Sequence, residues 1–114
     1  YPANCHCGAF TYTVRIPSLS NHEVLRCTCS ICVVNGYLMV YPKRPDVIFH
    51  TGHESLKSYT FGTKKGLHKF CPTCGSSVLI DFQGSDQLCI NVRMFQDIDL
   101  ETLHFKEYDG KNVR

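Results

Sequence analysis

Seven of the eight cysteines in this 114-residue chain fall into three tight clusters. These are Cys5-His6-Cys7-Gly8, Cys27-Thr28-Cys29-Ser30-Ile31-Cys32 and Cys71-Pro72-Thr73-Cys74-Gly75, and only Cys89 stands apart. The clustering constrains the fold more than any other feature, because it gathers sulfur around points instead of bridging distant segments. Two pairs supply four thiolates, which is one closed tetrahedral zinc site, and the triplet supplies three, which is a zinc site with an open corner. Structural zinc is saturated by protein, whereas catalytic zinc keeps a position for water or substrate. The arithmetic proposes one zinc for folding and one for chemistry.

An even cysteine count also fits a secreted disulfide framework. Spacing opposes that reading: Cys5 bonded to Cys7, or Cys27 to Cys29, would close strained small rings. Disulfide-rich domains usually scatter their cysteines so that each bridge closes a long loop. A redox role for Cys71-Pro72-Thr73-Cys74 is the other alternative. Such a motif should open a helix after a strand, yet Gly75-Ser76-Ser77-Val78-Leu79-Ile80 reads as a turn feeding a strand.

The length predicts one domain over residues 1–114, large enough to remove roughly two thirds of the extended chain's surface from water. No run approaches the ~20 apolar residues of a membrane span. A net charge of +2 and an isoelectric point near 8.2 fall short of the basic footprint of a nucleic-acid binder. The first residues lack the apolar core of a secretory leader. With reduced, metal-ready thiols, the expected compartment is the cytoplasm.

The periodicity is that of strands. Phe10, Tyr12, Val14 and Ile16 alternate with Thr11, Thr13 and Arg15 up to Pro17. A turn at Ser18–His22 leads to a strand through Glu23-Val24-Leu25-Arg26 into the triplet. Tyr37–Tyr41 is expected as a buried strand stopped by Pro42, with further strands at Val47–His50, Leu56–Phe61, Leu67–Phe70, Ser77–Asp81 and Leu88–Val92. Helical signals are confined to Ser30–Asn35 and to Asp97–Thr102, where acidic residues suit a helix start. The expected class is mostly β, with small helical turns only.

On a strand, Cys5 and Cys7 would present both sulfurs to one side while His6 points away, and Cys27 and Cys29 would do the same. Pro72 fixes φ after the first ligand of the last cluster, and Gly75 permits the left-handed backbone after the second. A zinc joining the first and last clusters would staple segments more than sixty residues apart. The triplet's fourth position is open to an outside group, or else filled by His6, His22, His68 or an aspartate. Three thiolates favour a soft ligand such as a substrate thiol. Cys89, in the apolar run Leu88–Val92, reads as a small buried hydrophobe, with a ligand role as the alternative.

The three cysteine motifs in this order, Phe70 and Ser76 flanking the last, and Leu56-Lys57-Ser58-Tyr59 ahead of it, resemble the glutathione-dependent formaldehyde-activating enzyme and centromere-protein-V-like family. The resemblance implies a zinc-bound, antiparallel β-tent-like fold. It also implies Cys5, Cys7, Cys71 and Cys74 on a structural zinc, and Cys27, Cys29 and Cys32 on a catalytic zinc. The implied activity is that of a carbon–sulfur lyase, joining formaldehyde to glutathione as co-substrate, or cleaving the adduct. Arg15, Arg26, Lys69 and Arg93 are the candidate partners for glutathione's carboxylates, with an ordinary exposed cation as the alternative for each. The alternatives are a non-catalytic module with two structural zincs, and a relative recruited to a different small molecule.

Overall fold

Residues 1–62 and 64–111 are described by the computed structural model of the chain. The alternation around Tyr12 builds a three-stranded antiparallel sheet in the order β1 (Pro2–Asn4), β2 (Thr11–Val14), β5 (Val47–Thr51). Phe10, Tyr12 and Val14 are fully buried and Ile16 is half-buried, while Thr11 and Thr13 lie on the less buried face. That is the period of two expected of a strand with one face in the core.

The second sheet has seven strands: β3 (Glu23–Cys27), β4 (Met39–Val40), β6 (Lys57–Tyr59), β7 (Gly66–Phe70), β8 (Ser77–Phe82), β9 (Cys89–Asn91) and β10 (His104–Tyr108). Their order is β10-β3-β4-β9-β8-β7-β6. Every pairing is antiparallel except β10 on β3, which runs parallel from His104 opposite Glu23 to Tyr108 opposite Cys27. The mostly β, tent-like class expected from the sequence is therefore the class found, with one parallel edge added.

Alternation along the central strands divides the interior. Val40, Ile90 and Leu79 stand opposite one another in register and join Phe10, Tyr12, Val14 and Val24 in the larger core. Met39, Ile80 and Cys89, each one residue away, belong to a smaller cluster with Cys29, Cys32 and Tyr37. Because neighbouring strand residues point to opposite faces, Cys89 is turned toward the triplet. Its burial agrees with the small-hydrophobe reading; its company was not foreseen.

The only α-helix among the described residues, α1 (Ser30–Asn35), matches its expected span, and the remaining helical turns are 3-10. Gly36 adopts φ +64° and ends α1, a conformation glycine reaches without a Cβ penalty. Arg93 Nε donates to the Gly36 carbonyl at 2.7 Å, which adds a cation at the helix C-terminus.

Several expectations are corrected. The Tyr37–Tyr41 strand shrinks to Met39–Val40, because Leu38 N–H donates to the Asn91 side chain and the Pro42 carbonyl accepts from Leu88 in a loop. The Leu56–Phe61 strand shrinks to Lys57–Tyr59. Cys5–Gly8 is not a strand: Gly8 N–H donates to the Cys5 carbonyl at 3.0 Å, closing a turn after β1. Cys27 ends β3, while Cys29 is already the N-cap of α1. Strands β1 and β10 were not expected.

Candidate functional site

The first cysteine group is assembled from two turns. In one, Gly8 has φ +81° and Phe10 N–H donates to Cys5 Sγ at 3.3 Å. In the other, Gly75 N–H donates to the Cys71 carbonyl at 2.8 Å and Cys71 N–H to the Ser76 carbonyl at 3.0 Å. Gly75 has φ +79°, the left-handed backbone expected after the second ligand of that cluster. Ser76 ties the turns together: its hydroxyl accepts from His6 N–H at 3.1 Å and lies 3.2 Å from Cys74 Sγ. The sulfurs of Cys5, Cys7, Cys71 and Cys74 all fall within 4.8 Å of one another. Cys5 and Cys7 are 3.7 Å apart, and Cys7 and Cys71 3.6 Å.

These separations fit a metal. A tetrahedral ion with bonds of about 2.3 Å to sulfur has sulfur–sulfur edges of about 3.8 Å, whereas a disulfide needs about 2.05 Å. The thiol acidities point the same way. The Ser76 hydroxyl, with backbone N–H groups, pulls Cys74 down to about 5. The N–H groups of Cys74 and Thr73 lower Cys71. Cys7 is drawn down by the Ala9 N–H but pushed up further by desolvation and its sulfur neighbours, to about 11. Four crowded sulfurs cannot all ionise without a cation among them.

The second group comprises Cys27, Cys29 and Cys32, again with every sulfur within 4.8 Å of the others. The last residue of β3, the N-cap of α1 and the first turn of α1 hold them, and Cys29 N–H donates to Cys27 Sγ at 3.4 Å. Burial, then the neighbouring Cys29 and Cys27, pushes the Cys32 thiol well above its ordinary range, so a cation has the same work to do here. Among the described residues, no histidine or carboxylate joins either group. His6 is exposed, His22 is half-buried, and His68 is buried on β7 beside Phe61 and Tyr37.

The triplet stands between two cavities, and Cys27 and Cys32 wall both. One, of about 310 Å³, also meets Arg26 and Arg93. The other, of about 430 Å³, also meets Cys29 and Cys89. Burial pushes the Cys89 thiol up to about 12, so it faces that cavity as a neutral group. The four candidate cations all have partners. Arg15 reaches Asp46 and the Pro45 carbonyl, Arg26 pairs with Glu107 at 2.6 Å over the Phe105 ring, Lys69 donates to Ser58, and Arg93 caps α1. Only Arg26 and Arg93 lie near the triplet.

Sequence reasoning missed the cover over the triplet. Beyond β10, Thr28 Oγ1 donates to Asp109 at 3.1 Å and accepts from Lys111 N–H at 3.3 Å, while Thr28 N–H donates to the Tyr108 carbonyl at 2.9 Å. These bonds press buried Gly110 onto the site: a Cβ there would lie 2.4 Å from Cys27 Sγ. The one available signal was a glycine in an otherwise polar stretch.

Two comparisons bear on this arrangement. A crystal structure of a Rhodobacter sphaeroides protein superposes with a TM-score of 0.79 at 25% identity, covering 93% of this chain and 100% of that one. Residues 1–105 match the family described as glutathione-dependent formaldehyde-activating enzyme. That match takes in all eight cysteines and both sulfur groups, and the chain belongs to the glutathione-dependent formaldehyde-activating enzyme family.

Proposed function

We propose that the chain is a two-zinc carbon–sulfur lyase that adds a thiol, glutathione, to a small carbonyl, formaldehyde in the family's named reaction, and cleaves the adduct in reverse. In this reading Cys5, Cys7, Cys71 and Cys74 hold a structural zinc, and Cys27, Cys29 and Cys32 hold the catalytic one. The observation that carries it is the contrast between the two groups: four sulfurs in one, and three with no fourth donor among the described residues in the other, at the wall of two cavities. A zinc bound by three thiolates supplies an exchangeable, soft position that stabilises a substrate sulfur as thiolate.

The chain's own groups do the rest. Arg93 brings a positive charge to the smaller cavity beside Cys27 and Cys32, which suits a carboxylate of glutathione, while the charge of Arg26 is shared with Glu107. Arg93 is oriented by its bond to Gly36, so its terminal N–H groups are presented at little entropic cost. Gly110 and Tyr108 line the cavity on the opposite side. Holding sulfur and carbonyl carbon together supplies most of what the addition requires. The carbon–sulfur bond forms, the carbonyl π pair moves to oxygen, and oxygen takes the proton the thiol gave up.

All eight cysteines are free of disulfides, in keeping with the cytoplasm as the proposed compartment. No described helix is long and apolar enough to cross a membrane.

Zinc stoichiometry and X-ray absorption at the zinc edge, before and after glutathione, test the proposal. The expected result is about two zincs per chain, with mean sulfur coordination rising from about 3.5 to about 4 on addition. Two zincs with an unchanged edge would instead fit a module with two structural ions. An absence of zinc in fresh, unchelated protein would overturn both readings.

A further inference from the structure

The two cavities that share Cys27 and Cys32 differ in character. The one beside Arg26 and Arg93 offers guanidinium groups. Apart from the triplet's own sulfurs, the other, of about 430 Å³, is walled by Leu25, Met39, Tyr41, Ile80, Phe82 and Tyr108, with no Lys, Arg, His, Asp or Glu in its lining. Formaldehyde has two heavy atoms and fills little more than one or two water volumes, roughly 30–60 Å³. The apolar cavity is several times larger, within the range of sites that enclose a small organic ligand. Glutathione's carboxylates would be stranded there without partners, at a penalty. An apolar group would gain by leaving water.

We propose that this apolar cavity is a subsite for an aromatic-sized substituent on the carbonyl carbon, so that the preferred co-substrate is an aromatic or comparably bulky aldehyde. The inference rests on the reading of the triplet as a thiol-binding centre. The charged thiol then approaches past Arg26 and Arg93, the apolar aldehyde from the opposite side, and the two meet at the sulfurs that wall both cavities. The step keeps its balance: thiol S–H adds across C=O, with the proton ending on the former carbonyl oxygen and no oxidant or reductant consumed. The rings of Phe82, 39% exposed, Tyr41 and Tyr108 form the mouth, and Ile80, 5% exposed, lies deeper.

Calorimetric titration of the full, zinc-loaded chain tests this with glutathione, S-methylglutathione, S-benzylglutathione and benzyl mercaptan, none of which turns over alone. S-benzylglutathione is expected to bind at least about tenfold more tightly than S-methylglutathione. Ile80→Trp, which fills the cavity, should erase that preference. Phe82→Ala, on a partly exposed wall, should reduce it with the circular dichroism unchanged, which keeps the test sound should Ile80→Trp misfold. Equal binding of the two thioethers by the wild type overturns the proposal, as does a folded Ile80→Trp protein that keeps the preference. Binding of benzyl mercaptan, sensitive to Ile80→Trp, without binding of glutathione would sink the glutathione reading and leave the apolar subsite standing.

Discussion

Replacing Gly110 by Ala adds a single methyl group, and the geometry dictates where it goes. The new Cβ lies 2.4 Å from Cys27 Sγ and 3.1 Å from Cys29 Cβ, where an ordinary contact is about 3.5–4.0 Å. More than about 1 Å must therefore open between the covering segment and the triplet. Cys27 cannot supply it while its sulfur is fixed on a metal, since zinc–sulfur distances tolerate only about 0.2 Å. The alternative is for residues 108–111 to lift, which breaks the Thr28 bonds to Asp109 and Lys111. Overpacking of this kind costs about 1–3 kcal/mol, corresponding to a melting point lower by roughly 4–15 °C. The assay is thermal melting with metal analysis on the wild type and the variant, each as purified and after chelation. The variant should melt lower than the wild type while both hold zinc. After chelation Cys27 is free to rotate, and the gap between the proteins should shrink. An unchanged melting point together with unchanged zinc content would refute the account of the cover.

Cys71→Ser or Cys74→Ser should unfold or aggregate the protein, because a structural zinc contributes about 10–16 kcal/mol of apparent binding energy, more than most domains have to spare; a soluble variant with unchanged melting would sink the structural assignment. Cys29→Ser should lose one zinc and all thiol binding yet stay folded in circular dichroism, since serine is a good N-cap for α1; collapse would show that the two sites do not divide their labour. Gly52→Ala would set a Cβ 2.3 Å from the Ala9 carbonyl oxygen in a backbone with φ +81°, and urea melts should record a loss of about 3 kcal/mol. Arg44 binds Asp81 through two N–H groups and holds its carboxyl below the usual range. A depressed carboxyl stabilises the fold above its unfolded pKa and loses that contribution as pH falls through the folded value. Arg44→Gln should therefore cost about 1 kcal/mol at pH 7, and the difference from wild type in urea midpoint should narrow below about pH 4.

The sulfur groups were legible because each cysteine cluster is local. A pair within three or four residues reveals its purpose without knowledge of the fold, and Ser30–Asn35 reads as helix for the same reason. The strand reading of Cys5–Cys7 was mistaken in backbone but not in consequence, since the turn ending at Gly8 also brings both sulfurs to one side. What was hidden depends on sheet order. Cys89 looks solitary until β9 is seated between β4 and β8, which turns its thiol toward cysteines far away in sequence. Strand β10 is invisible to periodicity because only Phe105 in it is even half-buried. Its conformation comes from a backbone ladder with β3, and no side-chain pattern announces a ladder. Gly110 follows from β10, so the cover over the triplet was hidden with it.

The parallel pairing of β10 with β3 also sets a timetable for assembly. Contacts between segments close in sequence cost less loop-closure entropy than those that close long loops, and a chain is synthesised from its N-terminus. The six-residue triplet can gather its sulfurs early, and the four-sulfur group becomes complete once Cys74 has emerged. Residues 108–111, which seal the triplet through Thr28, come later than both. In chain order every cysteine of both groups thus precedes the segment that walls the triplet. In the two-zinc reading proposed above, that order leaves one side open for an ion to enter before β10 docks.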